Sequence, residues 1–330
     1  MLYVTTRNKT DAHTAHKTLT SDRGADGGLY VPFQIPVISK EYIDGLKEKS
    51  FGQSIADILN IFFSARLDGW DVDFSIGRNP IKLVPMSHRI VVAETWHNPD
   101  WDFARVVRNL SSRIQGNDDT RGVPSAWAWI AIRIATLFGL YGQMLHQGFA
   151  PEATVDVAVS SGDFSGPMAV WFARQMGLPI GTIICACEEE SGVWELVHQG
   201  QLRTDAAPSD CLERLIYSQF GSNEVKRFLE AFSRGEIYTP CQEADKGLFA
   251  AVVSPKRTES VIYNVYRTCT YLLDPNSASA YGGLQDYRST AGEGRLTLLL
   301  TERSPMRSAS IVAKAMGITE QELLERVTKA

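Results

Sequence analysis

The sequence predicts an α/β protein built on an open, mostly parallel sheet with helices on both faces. Three observations carry that expectation. Strand-like and helix-like patterns alternate along the chain, with no internal repeat and no low-complexity block. Three short apolar runs, "TVDVAVS" (154–160), "PIGTIICAC" (179–187) and "RLTLLLT" (295–301), read as strands buried in such a sheet. Finally, the loop "SSGDFSG" (160–166) joins the end of the first of these runs to the start of a helix, the place where open α/β sheets bind ligands.

Each element follows from local chemistry. The polar, Gly- and Pro-containing stretch "RIQGNDDTRGVPS" (113–125) predicts an exposed loop between two halves. The apolar stretch 126–145 predicts a helix, and Arg133 in its middle points to a buried core helix rather than a membrane span. In "GPMAVWFARQMGLP", Met168, Ala169, Phe172, Ala173 and Met176 recur at helical spacing, and Gly177 stands where a C-terminal cap belongs. Cys185 and Cys187 form a C-x-C at the end of the next strand; with no second Cys or His pair at useful spacing they read as two half-buried thiols, and no metal site is expected. The stretch "TEQELLERV" opens with Thr319 and Glu322 in capping-box spacing and predicts a surface helix at the end of the chain.

Bulk properties narrow the function. With 330 residues, 44% of them hydrophobic, the chain can bury a large core. Its formal charge of −5, from 33 basic and 38 acidic residues, comes with no long run of one sign. Nucleic acid and anionic lipid are therefore not expected partners, and a small-molecule ligand is, with homo-oligomerisation left open. Five cysteines and an N-terminus, "MLYVTTRNKT", without a secretory pattern point to reduced thiols in the cytoplasm.

Five segments, in order, resemble threonine synthase, a pyridoxal phosphate (PLP) enzyme of the tryptophan-synthase-β-like fold, fold type II. "SDRGADGGLYVPFQIP" resembles the family's "APDGGLFVP", and "ETWHNPDWDFAR" resembles "LFHGPTLAFKD". "VPSAWAWIAIRIATLF" is similar to the helix that begins "NSINWARILAQ". "SSGDFSGPMAVWFARQMGLPIGTIICA" is similar to "PTGNFGNILAGYYAKKMGLPIGKLIVA", the most specific of the five. "YLLDPNSASAYGGLQDY" with "LLLTERSPMRS" resembles "YLIDPHTAVAYAAL" and "VLSTAHPAKF". The resemblance implies two lobes with a central cleft: an N-terminal region over 1–95, a smaller lobe over 96–150 and a larger lobe over 151–330.

The same resemblance marks departures at the site. In the family the lysine of "FKD" forms the Schiff base with PLP; matching His97, Pro99 and Phe103 puts Ala104 there and Arg105 at the following aspartate. No lysine lies in "NPDWDFARVVRN", the nearest being Lys82 and Lys226, and a guanidinium cannot take the role because it stays protonated. In the phosphate loop, which ends at Gly166, Ser161, Gly162 and Phe164 are kept, but Asp163 stands where the family has asparagine and Ser165 where it has glycine. A carboxylate at 163 either opposes a bound phosphate by like charge or caps the helix, and the sequence leaves both open. The resemblance places Glu302 at the hydroxyl that faces the pyridine nitrogen, and Trp129 at the arginine of "NSINWAR".

These departures lead to an expected threonine-synthase-like protein without Schiff-base chemistry, binding or converting a different small anionic or amino-acid-like metabolite. No covalently held cofactor is expected; PLP held non-covalently by residues 161–166 remains an alternative. So does a PLP-independent lyase or transferase with His97, Asp102 and Arg105 as catalytic groups beside Asp163 and Glu302, although Asp102 also suits a helix cap. Conventional threonine synthase activity is not expected.

Overall fold

The computed structural model describes residues 1–78, 81–87, 89–96, 103–116, 124–149, 153–188, 192–203, 210–243, 245–292 and 294–328. Three short strands, β1 (Leu2–Thr5), β2 (His13–Thr14) and β3 (Tyr30–Pro32), make an antiparallel sheet in the order β2-β1-β3. Six others, β4 (Lys82–Ser87), β5 (Ile90–Glu94), β6 (Val155–Ser160), β7 (Ile180–Cys187), β8 (Leu248–Val252) and β9 (Thr297–Thr301), form the central sheet. Their order is β4-β5-β9-β6-β7-β8, and all the pairings are parallel except the hairpin of β4 with β5.

The apolar runs of the sequence are the strands at the middle of this sheet, and their alternation explains why they are apolar throughout. Val91, Val157, Ile183, Cys185 and Leu298 pack into one core with the helices Phe51–Phe63, Ala126–His146 and Ser165–Gln175. Their neighbours Val92, Ala158, Ile184 and Leu299 pack into a second core with the helices Pro255–Cys269, Pro275–Ala291 and Ala309–Met316. Both faces are covered, so neither can be polar. Cys185 and Cys187 are fully buried in this sheet rather than half-buried, because β7 lies inside it.

Helix Ala126–His146 is long and apolar enough to cross a membrane, but most of its surface is covered by protein. Ser125 caps it by accepting the Ala128 N–H. Trp127 near its start is fully buried, edge-on to Tyr3, Phe62 and Phe172, and its indole N–H donates to the Tyr3 hydroxyl at 3.2 Å. Tyr3 in turn donates to the Phe62 carbonyl at 2.9 Å, so the small sheet is pinned to the helical core. The expected loop over 113–125 begins later than its polarity suggests, since a helix runs Phe103–Gln115; residues 117–123 lie outside the described residues. Helix Ser165–Gln175 ends as expected, with Gly177 at φ +108° and the Leu178 N–H returning to the Ala173 carbonyl. The capping box of Thr319 and Glu322 is formed.

Candidate functional site

From β6 the chain runs outward to β7 and β8, then returns to lay β9 on the other side of β6. The strand order therefore reverses between β6 and β9, and a crevice opens at their C-terminal ends. A cavity of about 780 Å³ lies there. The loop after β6, the residues after β9, the helix Ala126–His146 and the helix Asp210–Phe220 all contribute to its walls.

The loop is tight. Gly162 and Phe164 both take left-handed backbone, at φ +45° and +66°. For phenylalanine this conformation costs on the order of 1–3 kcal/mol and persists because the surroundings fix it. Its ring is buried in the main core, and its N–H donates to the Ser161 carbonyl. Phe164 thus anchors the loop from below while Ser161, Gly162, Asp163, Ser165 and Gly166 line the cavity. At Gly166 a Cβ would stand 3.0 Å from Val159 Cγ2, so a larger residue would need the valine side chain to give way.

Asp163 folds back on the helix start and also lines the cavity, so the two alternatives left open by the sequence are not exclusive. Its Oδ1 accepts the Ser165 N–H at 3.0 Å and the Ser165 hydroxyl as well. The start of the helix, a natural anion site, is thus served by a carboxylate of the loop itself. The network continues across the crevice. Arg133 Nη1 donates to Ser165 Oγ at 2.8 Å, and its Nε and Nη2 grip Glu302 at 2.8 and 2.7 Å in a two-pronged ion pair. The rings of Phe103 and Trp129 lie 4.9 and 5.4 Å from the guanidinium carbon. Burial disfavours the charge on Arg133, but Glu302, by charge and hydrogen bond, and then Asp163 outweigh it and hold the pKa above the usual value. Behind the fork lies a small apolar cavity among Phe103, Leu137 and Ala169.

A second arginine has the opposite environment. Arg214 is wholly buried in the cavity wall, and burial pulls its pKa down despite the nearby Cys211 and Asp210. Beside it, burial pushes the Cys211 thiol up to about 11. Asp274, also in the wall, is a buried cap that accepts the Asn276 N–H at 2.9 Å and the Ser277 hydroxyl; burial raises its pKa.

Of the residues singled out in the sequence, Trp129, Ser161, Gly162, Asp163, Ser165, Gly166 and Glu302 meet at this one cavity. Arg105 does not join them. It stands two positions beyond Phe103, about 200° around the helix, is exposed, and is not among the lining residues. The cation on that side is Arg133 instead, one helical turn beyond Trp129. His97 and Asp102 lie outside the described residues. Ala104 is half-buried in the first turn of the helix Phe103–Gln115, and no lysine is among the described residues lining the cavity. Sequence reasoning missed Arg133, Cys211, Arg214 and Asp274 as cavity residues. A signal existed for Arg133, a charge in the middle of an apolar helix; Arg214 in "CLERLIY" looks like an ordinary polar position.

Residues 2–76 match the family model described as threonine synthase N terminus. Over 189 residues the chain is 28% identical to threonine synthase of Pseudomonas aeruginosa, which covers 52% of this chain and 39% of that one. Over 175 residues it is 25% identical to human threonine synthase-like 1, covering 47% of this chain and 23% of that one. The matched stretches thus span well under half the length of these relatives. Among solved structures, the PLP-bound threonine synthase from Brucella melitensis superposes with a TM-score of 0.81 at 20% identity, covering 96% of this chain and 92% of that one. Yeast threonine synthase superposes with a TM-score of 0.80 at 16% identity over 96% and 90% of the two chains. At these identities the superpositions speak for the fold.

Proposed function

We propose, on the premise that this chain belongs to the threonine synthase family of fold type II PLP proteins, that its cleft binds or converts a small anionic or amino-acid-like metabolite without forming a Schiff base. The observation that carries this reading is the closed network Asp163–Ser165–Arg133–Glu302. It uses up, from within the protein, the Ser165 N–H and hydroxyl at the helix start and ties them to the carboxylate after β9. By the resemblance, those are the places that would receive the phosphate and the ring nitrogen of PLP. Position 104, aligned with the family's lysine, carries a methyl group.

These residues do not fit covalently held PLP. A phosphate dianion at the helix start would meet the Asp163 carboxylate, a like-charge contact, and an aldehyde would find no amine among the described lining residues. What the cleft offers instead is buried cation and carboxylate chemistry suited to holding a polar metabolite. The setting we expect is cytoplasmic, with no nucleic-acid or membrane partner. A second reading, turnover without PLP by acid/base groups, gains support from Asp274, whose raised pKa in the wall suits a proton donor; His97, Asp102 and Arg105 were its other expected members, and Arg105 is now the weakest of them.

The test is direct. The purified chain is incubated with PLP, reduced with borohydride and digested for mass spectrometry. The expected outcome is no pyridoxyl-lysine peptide and no aldimine absorbance. A reduced adduct on one lysine in stoichiometric yield would overturn the reading.

A further inference from the structure

Arg214 has no exposed surface, and neither of its Nη atoms has a hydrogen-bond partner among the described residues. Its Nε donates to the Tyr30 carbonyl at 3.2 Å, and the Cys211 thiol, a weak acceptor, stands beside it. The acids around it are committed elsewhere. Glu213 holds Arg7 at 3.1–3.2 Å and the Thr6 hydroxyl, Asp210 pairs with Arg23, and Asp22 accepts the Ala126 N–H at 2.6 Å. A guanidinium cannot lose its proton to relieve the charge, and a buried charge without a partner is strongly destabilising. Two parallel Nη donors in the wall of a ligand-sized cavity are the fork that a carboxylate completes.

The remaining charge of the cavity says which carboxylate. Asp22, Asp163 and Asp274 line it, hydrogen-bonded to backbone or hydroxyl donors, with Asp210 paired to Arg23 at its edge and Arg303 near Asp274 as a further cation. Arg133 is already closed on Glu302. Among the described lining residues acids outnumber cations, so a phosphoryl dianion would enter against like charge, whereas a ligand carrying an ammonium group is attracted. We propose that Arg214 is the receptor for the carboxylate of a small zwitterionic ligand, an α-amino acid without a phosphoryl group, whose ammonium end meets the acidic lining. This assignment rests on the Schiff-base-free reading above and names the ligand class for it. Both Nη atoms are withdrawn from solvent, so a carboxylate reaches them only as the side chains that cover them shift, and it is desolvated as it does.

Three probes decide it by calorimetric titration and thermal shift on the full chain: L-2-aminobutyrate, butyrate, and O-phosphoethanolamine. L-2-aminobutyrate should bind, butyrate more weakly and O-phosphoethanolamine weakest. Arg214→Met should lower L-2-aminobutyrate affinity by at least about 30-fold, the low end for removing one partner of a buried charge pair. In the absence of ligand it should melt no lower than wild type, since an unpaired buried charge is gone. Arg214→Lys keeps the charge without the fork and should fall between. Should Arg214→Met fail to fold, Arg214→Lys and the probe ranking on wild type still decide. Undiminished binding by either variant, failure of wild type to bind either carboxylate probe, or preference for O-phosphoethanolamine would overturn the proposal. A trapped PLP adduct would instead remove the Schiff-base-free reading, so the two failures are told apart.

Discussion

Two arginines, one half-buried and one wholly buried, face the same cavity and differ in almost everything else. Arg133 comes from a helix that was apolar enough to be weighed against a membrane span, and it is satisfied on every side: a carboxylate fork, a serine hydroxyl and two aromatic rings. Arg214 comes from an amphipathic helix, donates its Nε to a backbone carbonyl and has the Cys211 thiol rather than a carboxylate beside it. One guanidinium is held charged by its neighbours, the other is penalised by its burial. The contrast separates two uses of the same residue type. The closed network ties the loop after β6 to the carboxylate after β9; the other guanidinium is the one proposed above as a ligand receptor.

The sharpest way to break the contrast is to turn the first arginine into the second. Glu302→Ala would leave Arg133 without its carboxylate. We expect a loss of about 2–3 kcal/mol in urea unfolding, at or below the bottom of the range for breaking a fully buried pair, because Glu302 keeps 34% of its side chain exposed. Replacing both partners, Arg133→Met with Glu302→Leu, should recover most of that loss, because no charge is then stranded. If Glu302→Ala is as stable as wild type, the network does not brace the crevice.

That experiment bears on what could be read from the sequence. The central strands were legible because a sheet covered on both faces demands unbroken apolar runs, and 154–160, 179–187 and 295–301 became β6, β7 and β9 with small changes at their ends. The helix cap at Gly177 and the capping box at Thr319 were legible because they depend on local geometry alone. The order of strands was not, since placing β9 between β5 and β6 is decided by contacts far apart in the chain. For the same reason Arg133 and Glu302, 169 residues apart, could not be paired in advance. Arg105 was expected at the cavity because it neighbours Ala104 in sequence, yet helical geometry turns it outward.

A smaller effect tests the polarity of the Arg214 wall. Cys211 is a thiol there and should remain one at neutral pH, since burial raises its pKa from 9.0 to about 11. The unfolded thiol releases its proton first, so between those values the unfolded chain binds fewer protons and stability falls as pH rises. The contribution is complete below pH 9 and amounts to about 2–3 kcal/mol lost by pH 11. Urea unfolding at pH 8 and pH 10.5 should show a shallower decline in Cys211→Ala than in wild type. Arg214 opposes the shift, so Arg214→Met should move the folded thiol pKa higher still. Identical pH slopes in wild type and Cys211→Ala would mean that the thiol is not held in a desolvated wall.

The smallest change in stability carries the most specific reading of the loop. Asp163→Asn keeps an oxygen that can accept the Ser165 N–H and hydroxyl, and asparagine caps helices about as well as aspartate. Stability should therefore change by less than about 1 kcal/mol. What disappears is the negative charge at the helix start. If that charge is what turns the family's phosphate loop into a self-capped one, the variant should bind inorganic phosphate or PLP non-covalently about tenfold tighter, ~1.4 kcal/mol, read by quenching of Trp129 in the cavity wall. The gain should shrink as salt is raised, because it is electrostatic in origin. A variant with unchanged phosphate affinity would shift the burden of exclusion from the Asp163 charge to the pair of Arg133 and Glu302, which holds the Ser165 hydroxyl at the helix start whatever stands at position 163.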